Sequence, residues 1–237
     1  MSDPYLLLWL EAPLQSWGHD SRFGRRDSLD FPTKSGVLGL LCCARGAGGE
    51  ERDWLRRWAD LDMQVVGYVL QDQHGLPLPR EPLLRDFQMV GSGYDDQDPW
   101  QTLFIPKTNE GKKAVGGGTK MTYRYYLQDI AYAVILQAPV ELVEGTIEAL
   151  NNPVWDLYLG RKCCVPTEFI YRGCFTSAEQ AAEAGAALAA EKRRAFALRV
   201  LQGEHEGEVL TLNDVPLQCG PYKKYRDRKV TVQKWEE

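Results

Sequence analysis

Tyr5-Leu6-Leu7-Leu8-Trp9-Leu10 is apolar at every position and closes at Glu11-Ala12-Pro13. A short run of that kind reads as a buried strand. Ala131-Tyr132-Ala133-Val134-Ile135-Leu136-Gln137 reads the same way. A helix follows each. After the first strand, Thr33 or Ser35 caps a helix that runs to about Ala44. Arg45 suits its last turn, and Gly46, Gly48 and Gly49 stop it. A second helix over about 50–61 has Trp54, Leu55, Trp58 and Leu61 on one stripe. Residues 63–70 are a strand that ends in the turn Gln73-His74-Gly75. After the 131–137 strand, Pro139 opens a helix with Val140, Val143, Ile147 and Leu150 at helical spacing, and Asn151-Asn152-Pro153 ends it. Residues 169–175 are a further apolar stretch.

The order is β-α-(α)-β, an insertion, then β-α-β. Two such halves predict an α+β fold, a ferredoxin-like (RRM-like) βαββαβ sheet with helices on one face and the other face free for a ligand. This domain spans 1–175. Residues 176–237 read as a small C-terminal β-rich appendage. Ser177 with Gln180 forms a capping box for an Ala-rich helix to about Arg194. Short strands follow at 196–201, 209–212 and 229–233. Six basic residues against Asp227 mark the stretch 223–234.

The insertion, about 80–126, has no sustained apolar period. It holds Gly91-Ser92-Gly93, then Asp95, Asp96 and Asp98, then Lys107, Lys112 and Lys113, and finally Gly116-Gly117-Gly118 and Lys120. Long segments of this kind in compact domains are functional or mobile. Its shoulders, 83–90 and 121–127, can pair as two sides of a protruding hairpin.

The 237 residues weigh 26.8 kDa, enough for one to two domains. With 44% hydrophobic and 26% charged residues, the composition excludes disorder, collagen and coiled coil. The apolar runs 5–10 and 37–41 fall short of the ~20 residues that span a bilayer, and residues 1–10 lack the marks of a signal peptide. The expectation is a cytoplasmic protein with no membrane partner. The net charge of −5 means that any nucleic acid must be held by a local basic surface. The six cysteines, Cys42, Cys43, Cys163, Cys164, Cys174 and Cys219, form no CxxC pair and read as reduced and mostly buried. No cofactor or metal is expected.

Two clusters suit RNA. Gln15, Trp17, Ser21, Arg22, Phe23, Arg25 and Arg26 interleave aromatics with arginines, which stack on bases and pair with phosphate. The competing reading tucks Trp17 and Phe23 into the core. In Phe31-Pro32-Thr33-Lys34-Ser35-Gly36-Val37-Leu38-Gly39-Leu40-Leu41, a helix N-terminus offers N–H groups to a phosphate. Thr33, Lys34 and Ser35 add side-chain donors there, and Gly36 and Gly39 permit close approach. The alternative is tight packing through the glycines. Residues 116–120 fail the phosphate-loop pattern, and the acidic residues near 95 lack EF-hand spacing. Catalytic residues are sparse: His19, His74 and His205 lie far apart, with no HExxH or GxSxG motif. His19, beside the basic loop, is the best base for a metal-independent ribonuclease, with Tyr123, Tyr125 or Lys120 assisting.

Four blocks in fixed order carry a resemblance. Residues 6–18, ending in Ala12-Pro13-Leu14-Gln15-Ser16-Trp17-Gly18, are similar to the N-terminal signature of the CasD family. These are the fifth-family CRISPR-associated subunits of type I-E Cascade, in the RAMP superfamily. Residues 31–41 resemble that family's second block. Leu84-Arg85-Asp86-Phe87 and Thr122-Tyr123-Arg124-Tyr125-Tyr126-Leu127 resemble the roots of its thumb hairpin. Tyr158-Leu159-Gly160-Arg161-Lys162 resembles its basic corner. The match runs from about 5 to 175, and the thumb between 95 and 118 is longer and Gly-rich.

The resemblance implies a non-catalytic subunit that grips the 5′ handle of CRISPR RNA and caps the foot of the complex. Its thumb inserts near the first spacer position. Its implied neighbours are the Cascade backbone subunit and the large PAM-recognising subunit, with target DNA read by the guide through pairing. A related subunit of type I-C systems cuts RNA, so a processing endoribonuclease is the alternative. Gln15, Trp17, Thr33, Lys34, Ser35, Arg161 and Lys162 become handle contacts, with phosphates at Lys34, Arg161 and Lys162 and Trp17 or a thumb tyrosine stacking. Arg85 and Arg124 lie at the thumb roots, with Lys120, Tyr123 and Tyr125 beside them.

Overall fold

The computed structural model describes residues 3–19, 21, 24–90, 97–103, 107–112 and 120–235. The expectations placed on Arg22, Phe23, Asp95, Asp96, Lys113 and the glycines at 91, 93 and 116–118 lie outside the described residues. The elements in order are β1 (Tyr5–Glu11), β2 (Leu14–Gln15), β3 (Arg25–Arg26), α1 (Lys34–Ala44), α2 (Arg52–Trp58), β4 (Met63–Leu70) and β5 (Leu84–Val90). Next come α3 (Pro99–Thr102), β6 (Lys120–Gln128), β7 (Ala131–Gln137), α4 (Val143–Asn151), β8 (Tyr171–Phe175) and α5 (Ala178–Glu191). The chain closes with β9 (Arg194–Gln202), β10 (Glu208–Gln218) and β11 (Lys224–Lys234). Among the described residues no helix is long and apolar enough to cross a membrane.

The fold is mixed α+β. Its main sheet has seven strands in the order β10-β11-β9-β4-β7-β1-β8. β1 lies against β7 antiparallel with Leu6 opposite Leu136, Leu8 opposite Val134 and Leu10 opposite Tyr132. Successive side chains of a strand point to opposite faces. Leu6, Leu8, Leu10, Tyr132, Val134 and Leu136 therefore fill one core, with α1 and α4 residues such as Val37, Leu38, Leu41 and Leu150. Leu7, Trp9, Ala131, Ala133 and Ile135 fill the other, against α5.

That second core corrects the expectation of a free sheet face. The Ala-rich helix α5 lies on it, and Ser177 caps the helix by accepting from the Gln180 amide at 3.3 Å. The continuous hydrophobicity of β1 and β7 is the signature of burial on both sides. The contact side of α5 is Ala178, Ala181, Gly185 and Ala189, all buried. A Cβ on Gly185 would stand 3.0 Å from that of Ala133, so small residues set how closely helix and sheet approach.

The C-terminal strands are likewise part of the main sheet. β9 pairs with β4, Val65 opposite Val200, and β11 pairs with β9. The division drawn at 175/176 thus falls inside one hydrogen-bonded sheet. β10 and β11 are also longer than their apolar cores at 209–212 and 229–233 suggested. The outer half of β10 carries Asn213, Asp214 and Pro216, and that of β11 carries Lys224, Arg226, Asp227 and Arg228, polar runs without an apolar alternation to mark a strand. A second, smaller sheet has the order β2-β6-β3 with β5 also on β6. The two insertion shoulders pair antiparallel from Leu84–Tyr126 to Val90–Lys120.

Gly185→Leu is expected to lower unfolding stability by about 1–3 kcal/mol through overpacking. Ala187→Leu, on the exposed side of α5, should stay within about 0.5 kcal/mol of wild type in the same urea titration.

Candidate nucleic-acid interface

The Thr33-Lys34-Ser35 block at the start of α1 does seat an anion, and the anion is internal. Asp214 of β10, itself buried, accepts the Lys34 amide at 2.7 Å. Thr33 caps the same turn by accepting the Gly36 amide at 3.1 Å. Arg228 of β11 binds both Asp214 oxygens, at 2.7 and 2.9 Å. The Lys34 side chain runs inward, fully buried, and its ammonium donates to the carbonyls of Ala59 and Leu61 at 3.0 and 2.6 Å. Those carbonyls lie just past α2, where a cation complements the helix end. Burial pulls the Lys34 pKa down to about 8, with the Arg228 charge adding to the shift.

Four expected RNA contacts are therefore corrected to architectural roles. Lys34 and Thr33 are consumed as described. Gln15, fully buried, donates to the carbonyls of Leu10 and Ile130 and accepts from the Trp17 indole. Trp17 is 1% exposed, and the absent side chain of Gly36 makes room for its ring, 2.8 Å from where a Cβ would be. It cannot stack on a base. Gly39 faces open space and has no such packing role.

Most of the remaining described residues gather on two surfaces. One is the ladder of β5, β6 and β3, in which Arg25 lies opposite Tyr123 and Arg85 opposite Tyr125. By strand alternation Arg85, Phe87, Tyr123 and Tyr125 share a face. The Arg25 guanidinium sits over the Tyr125 ring at 5.2 Å and that of Arg85 over Tyr123 at 5.7 Å, while Phe87 and Tyr123 are 5.1 Å apart. Arg26 and Arg124 are register partners on the opposite face. Lys120 begins β6.

The other surface is a cleft of about 720 Å³. Ser16, Arg26, Ser35 and Arg161 line one side, and Thr211, Asn213 and Tyr225 of the C-terminal hairpin line the other. Arg161 donates to the Arg26 carbonyl at 2.8 Å and packs over the Tyr126 ring at 4.6 Å. Its corner is pinned by Gly160, whose φ of +91° and approach to the Ser16 carbonyl leave no space for a Cβ. Lys162, its sequence neighbour, lines a separate groove with Trp155, Val165 and Phe169. The corner therefore does not present two cations to one phosphate.

His19 also lines the cleft, whereas His74 sits in the 71–76 turn and His205 caps a loop near Gln202. No group of metal-ligating side chains occurs among the described residues. All six cysteines are free, and Cys42 and Cys164 alone are buried, their thiols pushed up to about 12 by burial.

The family model described as CRISPR-associated protein (Cas_Cas5) matches residues 5–233. The chain belongs to the Cas5 family. A curated Cas5 relative, the CRISPR system Cascade subunit CasD of Escherichia coli (strain K12), is 32% identical over 174 residues, 71% of this chain and 70% of that protein. A solved chain of a CRISPR RNA-guided surveillance complex is 28% identical with a TM-score of 0.68, over 97% of this chain and 89% of that one. A solved Cas protein is 27% identical with a TM-score of 0.55, over 98% and 94%.

Sequence reading of this Cas5 chain missed the hairpin side of the cleft, Thr211, Asn213 and Tyr225, and the Asp214–Arg228 pair behind it. The available signal was the basic and aromatic alternation of 222–229, which pointed to no neighbour without the fold.

The Lys34 titration gives a test. With the folded pKa near 8 and the ordinary value 10.5, the unfolded chain holds more protons between those limits. Stability of wild type relative to Lys34→Met should therefore rise with pH across that window. At about 1.4 kcal/mol per pKa unit the rise is at most about 3.5 kcal/mol. Urea unfolding at stepped pH checks this; a flat difference would mean that the ammonium is hydrated.

Proposed function

We propose that this Cas5 chain is a subunit of a Cascade-type CRISPR surveillance complex that holds the 5′ handle of CRISPR RNA without cutting it. One observation carries the reading: guanidinium–tyrosine pairs line one face of the β3–β6–β5 ladder, and β3 leads directly into the cleft through Arg26. Rings and guanidinium planes stack on splayed bases, and arginines at the strand ends meet phosphate. A local basic surface of this kind reconciles RNA binding with a net charge of −5.

In this reading Arg25, Arg85, Tyr123 and Tyr125 meet the handle on one face of the ladder, Arg26, Ser35 and Arg161 meet it in the cleft, and Arg124 adds its charge from the ladder's other face. Lys120, at the start of β6, and Arg22 are further contacts by their charge alone. Lys162 serves another contact, on the groove beside Phe169. The β5–β6 ladder acts as the thumb root. The strand order β4-β7-β1-β8, with α1 and α4 on one side, supports a ferredoxin-like core carrying these parts. The Cascade backbone subunit and the large PAM-recognising subunit are the expected neighbours, and target DNA is read by the guide alone. A cytoplasmic assembly follows. The endoribonuclease reading rests on His19 at the cleft.

Anisotropy of full-length protein with a labelled 5′-handle RNA tests binding. Arg26→Ala with Arg161→Ala should weaken affinity about tenfold and lower the salt slope by about 1.4, at about 0.7 per single-strand phosphate contact. Tyr123→Ala should cost about 1–3 kcal/mol, the worth of one stacked base. An unchanged slope would point to a protein scaffold. Cleavage of repeat RNA without divalent metal, lost in His19→Ala, would overturn the non-catalytic assignment.

A further inference from the structure

The basic stretch near the C-terminus is not accounted for by the handle surface above. Its cations differ sharply once their partners are known. Arg226 pairs with Asp60 at 2.6 Å, Arg228 with Asp214, Lys229 with Glu204, and Lys234 with Glu208 at 3.8 Å. Lys223 and Lys224 are exposed and, among the described residues, have no ion pair. They stand between two exposed tyrosines, Tyr222 at 77% and Tyr225 at 39%. Tyr225 lines the cleft.

The cleft is mixed in charge, with Arg26 and Arg161 on one side. Three carboxylates border it: Asp27, Asp214 and Asp227. Arg25 neutralises Asp27 and Arg228 neutralises Asp214. Asp227 has no cationic partner among the described residues and accepts a hydrogen bond from Asn213. A free carboxylate repels phosphate and accepts from a base amino group or a ribose hydroxyl. Cytosine, adenine and guanine carry such amino groups, and uracil does not.

We propose that the β10–β11 hairpin completes a seat for one unstacked RNA nucleotide. Its base enters the cleft beside Tyr225, with Asp227 and Asn213 reading an amino-bearing edge, and the adjoining phosphates lie on Lys223 and Lys224. The inference rests on the RNA-binding function proposed above. Polar groups set for one edge and cations flanking them give both selectivity and salt dependence.

The test uses full-length protein and single-stranded RNA of the repeat-derived 5′ handle, by anisotropy. Lys223→Ala with Lys224→Ala, both exposed, should weaken binding about five- to tenfold and lower the salt slope by about 1.4. Replacing handle positions one at a time with uracil should identify one position where an amino-bearing base is preferred about tenfold. Asp227→Asn, which exchanges an acceptor for a donor, should abolish that preference and leave the others. Hairpin variants that bind as wild type, or a preference that survives Asp227→Asn, overturn the seat. If Arg26→Ala with Arg161→Ala still weakens binding in that case, the function stands without it. Wild-type protein that binds no handle RNA overturns both.

Discussion

The Asp214 carboxylate holds together parts of the chain that are distant in sequence. It occupies the N-terminus of α1 through the Lys34 amide and is neutralised by Arg228 from the neighbouring strand. Both side chains are almost fully buried, so each charge depends on the other; removing one partner of such a pair typically costs about 3–5 kcal/mol. Lys34 then carries the linkage onward to the end of α2. Arg226 reaches the same Ala59 carbonyl from β11 at 3.2 Å. The C-terminal hairpin is thus fastened to both N-terminal helices, and one wall of the cleft is fixed relative to the other.

Coverage of the main sheet on both faces has a functional consequence. An open sheet face is the usual RNA platform of the RRM-like architecture. Here α5 occupies that face, and its small residues let it sit too close for any ligand to intervene. That face is closed to ligands, and the exposed polar and aromatic side chains lie at the periphery. The short β2-β6-β3 sheet with β5 supplies a new surface there, and its tyrosines and arginines are arranged by strand alternation. The root of that surface is firm because Tyr126 and Leu127, at the base of β6, are buried in the main core.

The cleft combines chemistry from the N-terminal segment, the Gly160-Arg161 corner and the C-terminal hairpin. Its N-terminal wall offers arginines and hydroxyls, and its C-terminal wall offers an amide, a ring and a carboxylate. Such a mixture suits a nucleotide, which presents an anionic backbone on one side and hydrogen-bonding edges on the other. Gly160 holds the N-terminal wall in place by touching the Ser16 backbone, a contact that only a residue without a side chain permits.

The sequence by itself determined the strands and helices whose pattern is local. Uniform apolar runs marked β1 and β7, Ser177 and Gln180 marked the start of α5, and the blocks at 6–18, 31–41 and 158–162 marked the family. It also singled out the arginine and tyrosine segments that meet on the β3–β6–β5 ladder. The tertiary structure alone decided which polar residues face outward. Thr33-Lys34-Ser35 has the composition of a phosphate site, yet Asp214, 180 residues away, fills it. Gln15 and Trp17 satisfy each other inside the core for the same reason. Side-chain direction and charge compensation depend on long-range partners, and a linear pattern records the residue types but not which of them meet.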